Sequence, residues 1–155
     1  MLDSLRAELA TVQQFIELLQ QEQIALVSAD IDTLLPLSTQ KSKLADELRN
    51  FGQARAELLA RFNLSADRQG MSSWIAQQAE NQRQTIQGLW DALLQAGASA
   101  QRLNDTNGKL ISIHMQHNQL ALNTLANAAN NASVYGPDGQ HHPHLGSGGR
   151  SLGKV

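Results

Sequence analysis

The sequence predicts an all-α protein: an elongated antiparallel helical bundle or coiled coil of three long helices, followed by a disordered C-terminal tail. Three long segments repeat apolar residues in alternating steps of three and four, the heptad spacing of helices that pack along a narrow seam. Aromatic residues make up only 4% of the chain, and a seam filled by Leu and Ala needs few of them. Most of the Gly and Pro residues lie after residue 130.

The first predicted helix opens the chain and runs to about Leu26. Its seam residues are Leu2, Leu5, Leu9, Val12, Ile16 and Leu19. After a short interruption, the Asp30 carboxylate can accept hydrogen bonds from the free N–H groups that begin a second helix. We expect that helix to start between Asp32 and Pro36 and to end near Arg61. Its seam residues are Leu34, Leu37, Lys41, Leu44, Leu48, Phe51, Arg55, Leu58 and Phe62.

Two of these seam positions carry positive charge, Lys41 and Arg55. The simpler interpretation is that their aliphatic stems pack in the seam while their charges reach water. The alternative is that they set the register of the helices, as polar seam residues can. We expect the acidic residues Glu8, Glu17, Asp46 and Glu47 to be ordinary solvated carboxylates.

Residues 63–73 contain turn-forming residues and predict a connection. The third helix should then run from about Ser73 to Asn130, with a seam at Ile86, Leu89, Leu93, Ala96, Ala100 and Leu103. A break at Gly97 or at Asn107-Gly108 remains open, because a glycine weakens a helix by about 1 kcal/mol relative to Ala. Trp74 and Trp90 are expected to serve packing.

The apolar pattern changes after Leu103. A strict heptad would continue through Asn107, Leu110 and His114, which makes a poor core. One inserted four-residue step gives a better stripe, composed of Asn107, Ile111, Met115, Asn118, Leu122, Leu125 and Ala129. Such a stutter rotates the stripe relative to the preceding seam.

The three helices have unequal predicted lengths. At 1.5 Å per residue, the first two span roughly 40 Å and 45 Å, whereas the third would span about 85 Å. Residues from about Asn104 to Asn130 should therefore extend beyond the first two helices and expose Ile111, Met115, Leu122 and Leu125. Exposed apolar surface of that extent predicts a partner, which could be the same chain, a second copy or a different protein.

Several functional classes lack support in the sequence. No phosphate-binding loop, nucleophile elbow or zinc-protease motif occurs, so we expect neither an enzyme nor a cofactor. The chain has no Cys, and the pair His114 and His117 lacks a nearby carboxylate, so no metal site is expected. Scattered Lys and Arg argue against nucleic-acid binding. With no signal peptide and no membrane-length apolar run, a cytoplasmic protein is expected.

The final residues differ in composition from the rest of the chain. Residues 131–155 are rich in Gly and include His141, His142 and His144, which predicts a flexible tail after a helical domain of residues 1–130. Val134-Tyr135 is the one element in the tail that could serve as an anchor.

Some of these residues also form a recognisable pattern. It includes Lys41…Leu44…Leu48…Arg55…Leu58-Leu59 in the second helix and Asn104-x-x-Asn107-Gly108-x-Leu110-Ile111 in the third. Ala121-Leu122…Leu125 and the closing run Tyr135-Gly136-Pro137-Asp138-Gly139-Gln140 complete it. In these features the chain resembles the FlgN family of flagellar type III export chaperones.

The resemblance implies a specific function. Such chaperones bind helical C-terminal segments of the hook–filament junction proteins in the cytoplasm, prevent their premature association and deliver them to the export gate. The client-binding region would correspond to the distal third helix, with Ile111, Met115, Leu122 and Leu125. The gate-docking tyrosine would correspond to Tyr135. The chain departs from the family after Gln140, so no role is carried onto residues 141–155.

Two alternatives remain beside the secretion chaperone. One is a structural coiled-coil adaptor that associates with itself, and a homodimer is also compatible with the chaperone interpretation. An adaptor should continue one regular seam, whereas this pattern stutters and then meets the tail. The other alternative is a histidine-dependent metalloenzyme, for which the sequence offers nothing that would hold the histidines in a fixed geometry.

Overall fold

A computed structural model describes residues 1–134 of the chain, with side chains described through Asn130. This part of the chain forms four helices and no strand: α1 (Leu2–Ser28), α2 (Ile31–Arg61), α3 (Arg68–Ala76) and α4 (Glu80–Val134). The all-α prediction is confirmed. The chain divides into two compact units, Met1–Ser112 and Ile113–Val155.

The connection between α1 and α2 is very short. Ala29 adopts a left-handed conformation, with φ at 54°, and ends α1. Asp30 then caps α2 as expected, accepting hydrogen bonds from the backbone N–H of Thr33 at 3.2 Å and from its hydroxyl at 2.6 Å. The side-chain and backbone hydrogen bonds from Thr33 lower the pKa of the Asp30 carboxyl. This connection reverses the chain within two residues and makes α1 and α2 a hairpin.

Four long-range contacts establish the directions of the helices within Met1–Ser112. Glu22 pairs with Lys41, and Glu8 pairs with Arg55, so α1 and α2 are antiparallel. Asn107 contacts Glu22, whereas Trp90 lies near Arg55, so α4 runs parallel to α1. Successive long helices therefore alternate in direction in this unit, as the predicted antiparallel bundle requires.

The core of the first unit contains the predicted seams. Its largest cluster combines residues of all four helices: Leu5, Val12, Leu19, Leu59, Met71, Trp74, Ile75, Ile86, Trp90, Leu93 and Ala100. A smaller cluster of Leu18, Ala25 and Leu37 lies between α1 and α2. Both tryptophans are buried, as expected. Phe62 is the exception among the predicted seam residues, because α2 ends at Arg61 and leaves it exposed.

The predicted connection at residues 63–73 is partly wrong, because it contains the start of helix α3. Asp67 caps this helix by accepting a hydrogen bond from the Gly70 N–H at 2.8 Å. Met71, Trp74 and Ile75 are spaced three and one residues apart and are all buried in the core. Burial of these side chains outweighs the weak helical propensity of the surrounding Gly and Ser residues.

The predicted third helix is broken, but at a different place. The interruption falls at residues 77–79, between α3 and α4. The chain turns there through backbone hydrogen bonds between residues three apart, including Gln77 N–H to Trp74 O at 3.2 Å and Gln78 N–H to Ile75 O at 3.0 Å. Gly97 and Gly108 both lie inside the uninterrupted α4. Their propensity cost, about 1 kcal/mol each, does not break this helix.

A matched pair of glycine substitutions should have opposite effects. A Cβ at Gly70 would lie 1.8 Å from the backbone O of Ser65, so Gly70→Ala must displace backbone. A Cβ at Gly88 on α4 meets nothing within 4 Å. We expect Gly70→Ala to lower the free energy of unfolding by more than about 1 kcal/mol. Gly88→Ala should raise it by up to about 1 kcal/mol. Urea unfolding measures both changes. A Gly70→Ala variant as stable as the wild type would contradict the close approach between Gly70 and the Ser65 backbone.

Candidate functional site

A buried polar network joins three helices where α4 leaves the core of the first unit. The Glu22 carboxylate accepts two hydrogen bonds from Lys41 Nζ, at 2.9 and 3.1 Å, and one from Asn107 Nδ2 at 2.8 Å. Asn107 Nδ2 also donates to the backbone O of Leu19 at 2.8 Å. Asn107 is 0% exposed. The network therefore fixes the rotation of α4 one turn before Ile111.

A second buried ion pair joins α1 and α2 two heptads away from this network. Arg55 Nη1 donates to both carboxylate oxygens of Glu8, and the Arg55 guanidinium lies over the Trp90 ring, 5.3 Å from its centroid. Glu8 is buried and Arg55 is half-buried. The ring face attracts the guanidinium, and the carboxylate compensates its charge.

These contacts correct two interpretations made from the sequence. Lys41 and Arg55 do not direct their charges into water, because each meets a buried carboxylate on α1. Glu8 is not a solvated carboxylate, although Glu17, Asp46 and Glu47 are exposed as expected. The overlooked signal was the spacing: Glu8 and Glu22 on one helix are separated by the same two heptads as Lys41 and Arg55 on the next.

As far as His114, the buried side of α4 continues the strict heptad, and the stripe that the stutter predicts lies on a different, exposed side of the helix. Inward positions follow Ala100, Leu103 and Asn107, and after them Leu110 and His114 are half-buried. Ile111, which the stutter placed next in the stripe, is 39% exposed. The cause is the polar network: once Asn107 is held inward, helical geometry makes positions three and seven residues later inward as well.

The distal part of α4 exposes large apolar side chains. Met115 is 67%, Leu122 62% and Leu125 67% exposed. Together with Ile111 at 39%, all four residues are exposed as expected. At about 100° per residue, these four positions fall within an arc of about 80° on one side of the helix. We call Ile111, Met115, Leu122 and Leu125 the distal face. A role in binding remains a prediction.

Ile113 and Leu120 form a second, opposite apolar side. They are 51% and 64% exposed and lie about half a helical turn from the distal face. No Asp, Glu, Lys or Arg occurs between Lys109 and Asp138. This part of α4 therefore offers apolar contact and neutral hydrogen-bonding groups, and would bind a partner through shape and burial more than through charge.

Tyr135 and the histidines His141, His142 and His144 lie outside the described residues. Within residues 1–134, no three side chains of His, Cys, Asp or Glu come together in a way that could hold a metal ion. No helix in that range combines the length and apolar character that crossing a membrane requires.

The comparisons with known proteins agree with this architecture. A crystal structure from Pseudomonas aeruginosa, described as a flagella synthesis protein FlgN, matches with a TM-score of 0.65 and 26% identity over 71% of this chain and 84% of that chain. Among curated proteins, none matches. Fold and neighbour together define an all-α bundle protein with a role related to the flagellum. The model of the FlgN protein family matches residues 1–143, and the chain belongs to that family.

The buried pair of Glu8 and Arg55 should behave differently from an exposed pair. Arg55→Met or Glu8→Leu alone leaves one buried charge without its partner and should lower the free energy of unfolding by about 3 kcal/mol. The double variant should recover much of that loss, because no unpaired charge remains. Urea unfolding of the four proteins in a double-mutant cycle measures the coupling.

The matched control is the exposed pair Arg49–Asp46, with side chains 73% and 64% exposed. Asp46→Ala should change the free energy of unfolding by less than about 1 kcal/mol. Additive losses in the Glu8 and Arg55 cycle would mean that the two side chains do not interact in solution.

Proposed function

We propose that this FlgN-family protein is a cytoplasmic flagellar export chaperone without enzymatic activity. In this proposal it binds helical C-terminal segments of hook–filament junction proteins, prevents their premature association and delivers them to the type III export gate. The family membership supports the flagellar role, and the distal face of α4 supports binding of a helical client.

The exposure of the distal face is the observation that carries the proposal. Burying one large apolar side chain contributes about 1.5–3 kcal/mol before ordering costs. The distal face offers Ile111, Met115, Leu122 and Leu125 on one side of a helix. Even after several kcal/mol are lost in ordering a flexible client segment, four such side chains can support micromolar binding.

The chemistry of the face also indicates the kind of client segment. An amphipathic helix would place its apolar positions against α4 in a helix-on-helix contact. Because this part of α4 carries no formal charge, a client residue with a charge pointing at the face would be buried without a partner. The flexible Met115 side chain can adapt to more than one client sequence.

Delivery to the export gate is assigned in this proposal to Tyr135. The family resemblance suggests the role, and the sequence adds that Val134-Tyr135 is the one bulky apolar pair near the Gly-rich end of the chain. An aromatic side chain suits a transient docking contact, because one ring can supply a large share of a small interface.

A self-associating structural adaptor is the second candidate. The opposite side chains Ile113 and Leu120 favour it, since a helix that is apolar on two sides can contact two neighbours at once. The two candidates differ in client dependence. A chaperone should exchange its self-contacts for a junction-protein segment, whereas an adaptor should not bind that segment at all.

Truncating the distal face should abolish client binding and spare the fold. The variant Leu122→Ala with Leu125→Ala removes two side chains that are exposed on the single chain, so the free energy of unfolding of the monomer should stay within about 0.5 kcal/mol of the wild type. Isothermal titration with the C-terminal segment of a hook–filament junction protein measures the binding. The matched control changes the opposite side, Ile113→Ala with Leu120→Ala, and should bind normally.

Two results would reject this assignment. Normal titration by the Leu122 and Leu125 variant would place the client elsewhere. A strongly destabilised monomer of this variant would show that the distal face belongs to the core of the single chain.

Replacing Tyr135 should separate delivery from client binding. We expect Tyr135→Ala to leave the melting temperature and the client complex unchanged, because this proposal assigns Tyr135 to docking at the gate and the distal face to client binding. Secretion of hook–filament junction proteins should fall, as measured by their amounts in culture supernatant. The control replaces His141, His142 and His144 by Ala together and should secrete normally. Unchanged secretion by Tyr135→Ala would remove the docking role.

A further inference from the structure

An open trough runs along the first unit between α2 and α4, with α1 as its floor. Its volume is about 710 Å³. The α2 wall extends from Ser38 to Leu48 and the α4 wall from Gly97 to Ile111, while Val12 and Phe15 contribute to the floor. At 1.5 Å per residue these walls are about 15 and 21 Å long. The shorter wall is therefore long enough to flank about three turns of a further helix.

Small side chains make the walls suitable for close helix packing. Ser38, Ser42 and Ala45 recur on the α2 side, and Gly97 and Ala100 on the α4 side. Helix axes approach each other more closely where the side chains between them are small. A fourth helix in this position would complete a four-helix bundle and cover the half-buried Phe15 and Leu48.

The electrostatics of the trough restrict its occupant. Among the residues that line it, the charged side chains are Glu22 and Lys41, and they pair with each other at 2.9 Å. The rest of the lining is apolar or neutral, including Gln101 and Asn104 on the rim. An occupant with a charge facing the trough would lose hydration without gaining a partner. The trough therefore favours a helix with a neutral surface and apolar anchors.

The chain itself contains such a helix. Between Lys109 and Asp138 there is no Asp, Glu, Lys or Arg, and Met115, Leu122 and Leu125 of this stretch are exposed. Its own α4 could fill its own trough only by breaking and reversing, whereas α4 is uninterrupted. A second copy can supply the segment without any break. We propose that the trough binds the distal α4 segment of a second copy of this chain.

A reciprocal arrangement follows from this contact. Each copy has one trough and one neutral distal segment, so a two-fold dimer forms the same contact twice and leaves neither trough open. In the absence of other partners, this dimer covers the distal face of both copies. A client that binds the distal face must then compete with the trough. The inference does not depend on the client, since it requires only the two surfaces of this chain.

Blocking the trough tests the inference directly. A Cβ at Gly97 meets nothing within 4 Å, so Gly97→Leu should fold and should fill the trough from the α4 wall. Gly88→Leu is the matched control, because Gly88 is equally open on the same helix and lies outside the trough. Ser42→Leu, from the exposed part of the opposite wall, is a second blocking variant.

Sedimentation velocity over a range of concentrations measures the dimer dissociation constant. We expect the wild type and Gly88→Leu to dimerise alike, and Gly97→Leu and Ser42→Leu to dimerise about tenfold more weakly or not at all. A wild type that remains monomeric at every concentration overturns the inference. A dimer that both blocking variants leave intact overturns it as well.

Disulfide trapping identifies which surfaces meet. The chain has no cysteine, so single variants Ser42→Cys and Leu122→Cys can be mixed under mild oxidation without a background thiol. A mixed disulfide between the two variants, above the level of either variant alone, is the expected result. A double variant carries Ser42→Cys and Leu122→Cys in the same chain. If it forms only an intrachain disulfide, the distal segment of the same copy occupies the trough, and the second-copy inference fails.

The same variants separate this inference from the proposed function. Gly97→Leu leaves Leu122 and Leu125 unchanged, so it should bind the client segment as tightly as the wild type or more tightly. Undiminished dimerisation in both Gly97→Leu and Ser42→Leu would overturn the trough contact and leave the client proposal standing. Undiminished client binding in the Leu122 and Leu125 variant would overturn the client proposal and leave the trough contact standing.

Discussion

The hydrogen-bonded network of Glu22, Lys41 and Asn107 determines how the three long helices of the first unit fit together. One carboxylate on α1 accepts from an ammonium on α2 and from an amide on α4. Burying these groups is costly unless each finds its partners, so helix arrangements that separate them are strongly disfavoured. The apolar seams provide most of the burial energy, but they tolerate sliding by a heptad, and the polar groups do not.

The second pair, Glu8 with Arg55, strengthens this selection of register. Each charge lies two heptads from the charge of the same sign on its own helix. If the α1–α2 hairpin slipped by two heptads, one pair would still form, while the remaining carboxylate and cation would lose their partners. The observed register satisfies both pairs at once. The short connection at Ala29 and Asp30 also favours the observed register. A slipped hairpin would need a longer connection between α1 and α2 than these two residues provide.

The distal part of α4 is energetically different from the bundle. Its described side chains make local contacts, such as the Gln119 Nε2 donation to Asn123 Oδ1 at 3.1 Å and that of the Thr124 hydroxyl to Leu120 O at 2.9 Å. A helix gains most of its stability from burial of an apolar side, and an exposed helix of about twenty residues is only marginally stable by itself. Partner binding would therefore stabilise this segment as well as cover it. Neutral composition keeps the segment adaptable, because no charge specifies one partner geometry.

The sequence by itself determined the helical class, the three seams, the Asp30 cap and the exposure of Met115, Leu122 and Leu125, because heptad spacing and capping are local properties of the chain. The tertiary structure alone decided three things. Met71, Trp74 and Ile75 form helix α3 because the core buries them; α4 runs through Gly97 and Gly108 without a break; and the buried side of α4 continues through Asn107 and Leu110, which the spacing alone marks as a poor core. The first and the third depend on contacts between residues distant in sequence, and the contact from Asn107 to Glu22 crosses from α4 to α1. Local spacing carries no information about which distant partner a buried polar group will find.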